Sequence, residues 1–226
     1  MRILIVAAHP DDEVLGCGGI ISRASQEGHD IYIAILGEGI TSRYKQRHEA
    51  DTGLVESLRE KARKVADFLG ARDAYFNDLP DNRFDTVPLL DITKIVENLI
   101  ERIKPRVIYT HHAGDLNIDH TVVHRAVITA ARPLPNSFVK TIYSFEVPSS
   151  SEWSFGQIER PFSPNVFVDI SATIEKKLKA MEIYESETRP FPHPRSSEAL
   201  LSVARRWGSA VGCEAAEAFE LIRDVC

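Results

Sequence analysis

His9, Asp11 and Asp12 stand together in Ala8-His9-Pro10-Asp11-Asp12-Glu13, directly behind the apolar run that begins at Ile3. A buried strand needs neither an imidazole nor a pair of carboxylates at its end. A borderline divalent cation does need them, because imidazole nitrogen and carboxylate oxygen are the ligands a catalytic zinc takes while leaving one position free for water. A second polar cluster, Thr110-His111-His112-Ala113-Gly114-Asp115-Leu116-Asn117-Ile118-Asp119-His120, follows another short apolar run. If the two loops converge, His9, Asp12 and His120 can hold one ion, with Asp11 left over as a spare carboxylate.

Each of these groups also has a simpler use. An Asp-Asp pair ahead of a helix ordinarily caps it, since its oxygens accept from free backbone N–H groups and favour the positive helix end. Glu13 complements the same helix start. A lone histidine in a first helical turn, such as His120, is more often a surface or core residue. Capping asks for no imidazole, however, and here two separate loops each carry His and Asp within a few residues. Gly16-Cys17-Gly18-Gly19 offers a different chemistry, the phosphate loop of a nucleotide-dependent α/β enzyme. Pro10 and three acidic residues separate it from the strand, and an acidic collar repels pyrophosphate, so close packing of helix against sheet suits these glycines better.

The elements that must position the two clusters alternate. Hydrophobic periodicity and stop signals predict strands at 2–8, 31–36, 74–76, 107–110 and 141–144, with helices at 13–27, 54–69, 89–103 and 119–131. After Pro148 the sequence turns Ser- and Pro-rich, followed by a possible strand at 166–168 and helices near 171–186 and 196–209. This order predicts an α/β fold with a mostly parallel sheet and helices on its faces. The chain is expected to form one domain over 1–226, with a core at 1–148 and a C-terminal loop-and-helix elaboration at 149–226. In such sheets functional residues gather beyond the carboxyl ends of the strands, near the point where strand order reverses. Ser149-Ser150-Ser151 and the 190–194 segment read as loops that cover something.

Composition narrows the partners. The 226 residues are 43% apolar, enough for a packed core, and 27 basic against 33 acidic side chains give a net charge of -6. That balance carries no electrostatic footprint for nucleic acid. Cys17, Cys213 and Cys226 are too few and too scattered for a disulfide framework, which fits a reducing cytoplasm. No apolar run approaches the ~18 residues of a membrane span, and the N-terminal run is too short for a signal segment.

Ala8-His9-Pro10-Asp11-Asp12-Glu13, the following Gly18-Gly19 and the later Asp119-His120 together resemble the zinc-dependent N-acetylglucosaminyl deacetylases of the LmbE or PIG-L family. The similarity runs through most of the chain, with Gly37-Glu38-Gly39, the Arg-bearing helix ending in Leu69-Gly70 and the second metal motif in order. It implies a Rossmann-like fold, a Zn2+ or other divalent transition metal, and removal of an acetyl group from a small amino-sugar derivative. His9, Asp12 and His120 then correspond to metal ligands, Asp11 to the general base, and Asp119 to a group orienting an imidazole. Arg59 and Asp85 correspond to substrate contacts, although Arg59 also fits the solvent face of its helix. A homo-oligomer is possible on the same ground.

The sequence departs from that family at Asn117, where relatives often carry a histidine that supports the oxyanion as a cation. His193, in Pro192-His193-Pro194-Arg195-Ser196, or His112 is expected to supply the charge instead, the alternative for His193 being an exposed loop residue. Tyr143, Phe145 and Trp153 are candidates for an apolar aglycone site, though strand aromatics are usually core. A silent metal or sugar binder on the same fold is the remaining rival, and an unliganded Asp11 argues against it.

Overall fold

A computed structural model describes residues 1–226. In chain order its main elements are β1 (Arg2–Ala7), α1 (Asp12–Gln26), β2 (Asp30–Gly37), α2 (Thr52–Leu69), β3 (Asp73–Leu79), α3 (Leu89–Ile103) and β4 (Val107–His111). These are followed by α4 (Ile118–Ala130), β5 (Thr141–Phe145), β6 (Val166–Asp169), α5 (Ile174–Ile183), α6 (Ser197–Val211) and β7 (Ala216–Arg223). The strands form one sheet in the order β3-β2-β1-β4-β5-β7-β6. The first five are parallel, and β7 runs antiparallel between β5 and β6.

β1 is apolar at every inner position because both of its faces are covered, as parallel sheets require. Ile3, Ile5 and Ala7 join a core with α1, α2, α5 and α6, through residues such as Ile21, Leu58, Val65, Met181 and Leu200. Leu4, Val6 and Ala8 join the opposite core with α3 and α4, through Ile92, Val96, Val123 and Val127. The three-four spacing in α2 buries Leu58, Ala62, Val65, Ala66 and Leu69, and Gly70 ends the helix with φ 90, a left-handed turn that costs glycine little. The chain leaves β1 toward β2 on one side and later returns to β4 on the other, so the β1 and β4 carboxyl ends sit side by side where strand order reverses.

The C-terminal half is more than loops and helices. β7 had no place in the sequence pattern because Glu217 and Glu220 interrupt it, and glutamate is depleted in strands. Both carboxylates are buried and matched. Glu217 accepts from the Gly19 and Ile20 N–H groups at 2.8 and 2.7 Å and pairs with Lys177 Nζ at 2.7 Å. Lys177 also donates to the Leu15 carbonyl at 2.8 Å, so an ion pair from α5 and β7 clamps the middle of α1. Glu220 accepts from Ser144 Oγ at 3.0 Å and the Ser163 N–H at 2.8 Å and faces His112 Nδ1 at 2.8 Å. β3 is also longer than its Ala74-Tyr75-Phe76 centre, and its true end brings Asp81 to the same rim as β1 and β4.

Gly16 to Gly19 lie inside α1 and not in a loop. A Cβ on Gly16 would stand 2.2 Å from Phe145 Cδ2, and one on Gly19 2.6 Å from Ile170 Cγ2. With the Gly19 and Ile20 N–H groups taken by Glu217, no phosphate cradle is left there. The glycines bring α1 onto β5 and the segment after β6, which fixes where α1 starts and so where Asp12 points. Gly16→Ala should lower unfolding free energy by about 1–3 kcal/mol, the cost of overpacking a filled core. Chemical denaturation checks this, and an unchanged midpoint would mean that Phe145 can retreat freely.

Candidate metal centre

The chain turns sharply out of β1. Asp11 adopts φ 113, ψ -29, a conformation that costs a non-glycine residue about 1–3 kcal/mol and recurs at functional sites. Its side chain makes no capping bond to α1. Asp12 does not cap either, since its Oδ2 accepts from the His9 N–H at 2.8 Å. The pair is therefore not a capping device. Glu13 supports the turn by accepting from the Asp11 N–H at 3.0 Å, while Tyr184 Oη donates to its other oxygen at 2.6 Å. Burial, only partly offset by the Tyr184 hydroxyl, raises the Glu13 pKa to about 8.

Asp12 Oδ2 is the hub of the site. It lies 3.4 Å from His9 Nδ1, 3.2 Å from His120 Nε2 and 3.5 Å from His111 Nε2. Burial works against this carboxylate, but the imidazoles of His120, His111 and His9 hold its pKa well below the usual range. The His111 and His120 rings stack with centroids 3.9 Å apart. His111 Nε2 accepts the Ala8 N–H at 2.8 Å, which ties that nitrogen to the backbone of β1.

The outer faces of His9 and His120 meet further carboxylates. His9 Nε2 is 2.9 Å from Asp119 Oδ2 and 3.2 Å from Asp81 Oδ1. Asp119 is itself fixed by the N–H groups of Asn82 and Phe84 at 2.6 and 2.9 Å. His120 Nδ1 is 3.2 Å from Asp115 Oδ2. Ser150 and Ser151 donate to Asp115, the latter at 2.8 Å, so the triple-serine loop after β5 braces this carboxylate. Carboxylates behind imidazoles in this way fix the tautomer and orientation of metal-binding histidines.

His9, Asp12 and His120 each offer a ligand atom, and these atoms all lie within 4.8 Å of one another. His9, Asp81 and Asp119 form a second group of the same kind, but Asp119 already satisfies two backbone donors. Both His120 nitrogens are buried with no hydrogen bond of their own, although each has a carboxylate oxygen 3.2 Å away. A buried nitrogen with no hydrogen bond, facing a carboxylate, is free to ligate a cation shared with that carboxylate. The donor set of two imidazoles and one carboxylate fits zinc or a similar divalent transition metal.

Asp11 turns away from this cluster into a cavity of about 110 Å3 lined by residues that include His9, Asn117, Arg43, Glu187 and Arg195. Arg195 Nη1 meets its Oδ2 at 2.7 Å. Asn117 caps α4, its Oδ1 accepting from the Asp119 N–H at 2.9 Å, which leaves its Nδ2 as the free end. The other expected contacts fall elsewhere. Arg59 pairs with Asp78 and the Asn77 carbonyl and lines a separate cleft of about 600 Å3 with Arg47, His48 and Arg83. Asp85 is exposed in a short turn, and it is Phe84 that points inward, its ring 5.9 Å from His9. His193 packs edge-on to Trp153 at 5.6 Å and does not line the cavity. His112 is tied to Glu220 and the Arg160 carbonyl. Phe145 is core and Tyr143 stacks on Tyr109, so neither forms an aglycone wall.

Asp81, Asp115, His111, Glu187 and Arg195 received no role from the sequence. Asp115 and His111 lie within the polar run after β4, and position alone could have suggested them. Arg195 is two residues from His193, in the same proline-bracketed loop.

Residues 4–131 match the family described as PIG-L: GlcNAc-PI de-N-acetylase. Over 190 residues the chain is 29% identical to the uncharacterized deacetylase YaiS of Escherichia coli, covering 81% of this chain and 90% of YaiS. It is 24% identical over 237 residues to the diacetylchitobiose deacetylase of Thermococcus kodakarensis, covering 98% of this chain and 83% of that enzyme. Among solved structures, GalB, the 4-carboxy-2-hydroxymuconate hydratase of Pseudomonas putida, has a TM-score of 0.79 at 22% identity over 100% and 97% of the two chains, a likeness of fold alone.

Two outcomes follow from the geometry. Without metal, burial opposes a charge on His120, yet Asp12 and Asp115 override it and raise its pKa to about 9. An incoming ion must displace that proton, so zinc binding at pH 7 should release protons, and affinity should climb as pH rises toward 9. Titration calorimetry in buffers of different ionisation enthalpy reads the release directly. Asp115→Asn keeps all three ligands but removes the brace on His120, and metal affinity should fall by ~10–100-fold. Unchanged affinity in a chelator competition would show that Asp115 plays no part in holding the ion.

Proposed function

The chain belongs to the PIG-L de-N-acetylase family, and we propose that it hydrolyses the N-acetyl amide of a small GlcNAc-type amino-sugar derivative. The observation that carries this reading is the division of labour between adjacent carboxylates. Asp12 is enclosed by imidazoles, while Asp11, forced into a strained turn, faces a cavity large enough to admit an acyl group. A protein that only bound a metal would have no use for that second orientation.

Zinc or another divalent transition ion held by His9, Asp12 and His120 would supply a more acidic water and a Lewis acid for the acyl oxygen. Asp11 takes the proton lost by the attacking water at a carboxylate oxygen. It returns that proton to the nitrogen as the C–N bond breaks, and the second water proton follows from the acid product, so one amide and one water become acetate and a protonated amine. Burial raises the Asp11 pKa to about 7, with Arg195 pulling it down and Asp12 and Glu187 pushing it up. A value near neutrality suits a group that must both accept and give back a proton. Asn117 presents a neutral N–H donor to the cavity.

The substrate class is supported by the family and by the diacetylchitobiose deacetylase relative, together with the polar lining of the cavity. Acetate release from a panel of N-acetylated amino sugars, with and without chelator, tests it. A hydratase on this fold would release no acetate from any member of the panel. Asp11→Asn tolerates the left-handed turn and should keep its metal while kcat falls by ~10²–10⁴-fold, the range for loss of a general base. If metal is lost along with activity, the roles given to Asp11 and Asp12 are wrong.

A further inference from the structure

Arg195 reaches the cavity from the loop between α5 and α6, far in sequence from the metal ligands. Its Nη1 bonds Asp11 Oδ2 at 2.7 Å and lies 3.7 Å from Glu187 Oε2, and its Nε donates to Ser149 Oγ at 2.8 Å. Its Nη2 has no hydrogen-bond partner in the protein, and Arg195 lines the same cavity as His9, Asp11 and Asn117. Arg43, the other arginine there, has its Nη2 bound to Glu187 at 2.6 Å. His112 and His193, the histidines that sequence offers for a cationic role, both lie outside the cavity wall.

The contact with Asp11 is not explained as a structural staple. The loop has its own supports. Arg189 Nη1 bonds the Ser186 and Thr188 carbonyls, the His193 N–H bonds the Pro190 carbonyl, and Ser196 caps α6. A largely buried ion pair is moreover a weak source of stability, because desolvation of both charges offsets their attraction.

We infer that Arg195 is the cationic catalytic residue of this site, holding Asp11 through Nη1 and offering Nη2 to the substrate oxygen on which negative charge gathers and which departs in the carboxylate product. This rests on the amide-hydrolase reading above and adds to it the charge that Asn117 lacks. Planar guanidinium suits the role because it can engage two oxygen groups at once in fixed geometry.

The test compares wild type with Arg195→Ala and Arg195→Gln, all loaded with zinc. Metal content should be unchanged, kcat should fall by ~10²–10³-fold, the range for loss of one oxyanion donor, and KM should move far less. Guanidinium chloride below its denaturing range should restore part of the lost rate in Arg195→Ala, which a purely structural role would not allow. Acetate binding, followed by calorimetry, should weaken about tenfold or more with the loss of a charge-assisted bond. Should Arg195→Ala fail to fold, Arg195→Gln carries the same comparison. Wild-type rate and acetate affinity in either variant overturn the assignment. If wild type releases no acetate from any amino sugar, the hydrolase reading fails, and the acetate affinities still decide whether Arg195 receives a carboxylate.

Discussion

A buried carboxylate surrounded by imidazoles governs this molecule. Asp12 is 1% exposed, and an isolated charge at that depth would cost several kcal/mol. Its Oδ2 is met by the His9 N–H and by the imidazoles of His9 and His120, with His111 close by, and those rings need partners in turn. Asp119 and Asp81 stand behind His9, Asp115 stands behind His120, and the Ala8 N–H donates to His111 Nε2. Around Asp12 the carboxylates and the His9 and His120 imidazoles alternate, so removing one of these strands a buried polar group rather than merely deleting a contact. The reversal of strand order at β1 and β4 closes this shell, since its members come from the ends of β1, β3 and β4 and from the helix starts that follow β1 and β4. Topology and electrostatics here express one constraint.

Much of this can be read from the sequence where hydrophobic pattern and ligand chemistry coincide. β1, β2, β4 and β5 are short apolar runs, α2 and α3 show clear periodicity, and His9, Asp12 and His120 are unusual enough at strand ends to stand out. The gaps have physical causes. β7 hides because its inward glutamates are satisfied by Lys177 and His112, partners about 40 and 108 positions away in sequence that no local pattern can reveal. Asp81 hides because β3 continues past its apolar centre through Asn77 and Asp78. The apolar centre therefore marks neither the strand end at Leu79 nor the rim residue beyond it. Arg59 and Asp85 were placed by resemblance, and the fold turns one to Asp78 and the other to solvent.

The side chain of Asp11 shows where sequence logic has to yield to backbone geometry. Asp-Asp before a helix reads as a cap because the oxygens and the free N–H groups are both present. Capping requires an N-cap backbone in the extended region, and at Asp11 the positive φ rotates the carboxylate off that path. The strain is held by Glu13 and, through it, Tyr184 from the end of α5. The fold thus stabilises a turn that helix formation alone would not choose, and the carboxylate becomes available for something other than the helix.

The groups around Asp11 come from a different part of the chain than the candidate metal-holding residues, and the two parts differ in what they do for the fold. His9, Asp12, His120 and the carboxylates behind them all fall within residues 4–131, the span that carries the family match. Tyr184, Glu187, Arg195 and Ser149, which set the turn and the charge beside Asp11, all lie beyond it. These later residues sit in loops and helix ends, where substitution leaves the sheet intact. Substitution there can change what Asp11 meets without disturbing the sheet or the candidate metal-holding group. The chemistry open to Asp11 depends on what it faces, and here it faces an arginine with a free N–H pair and a cavity of acyl-group size.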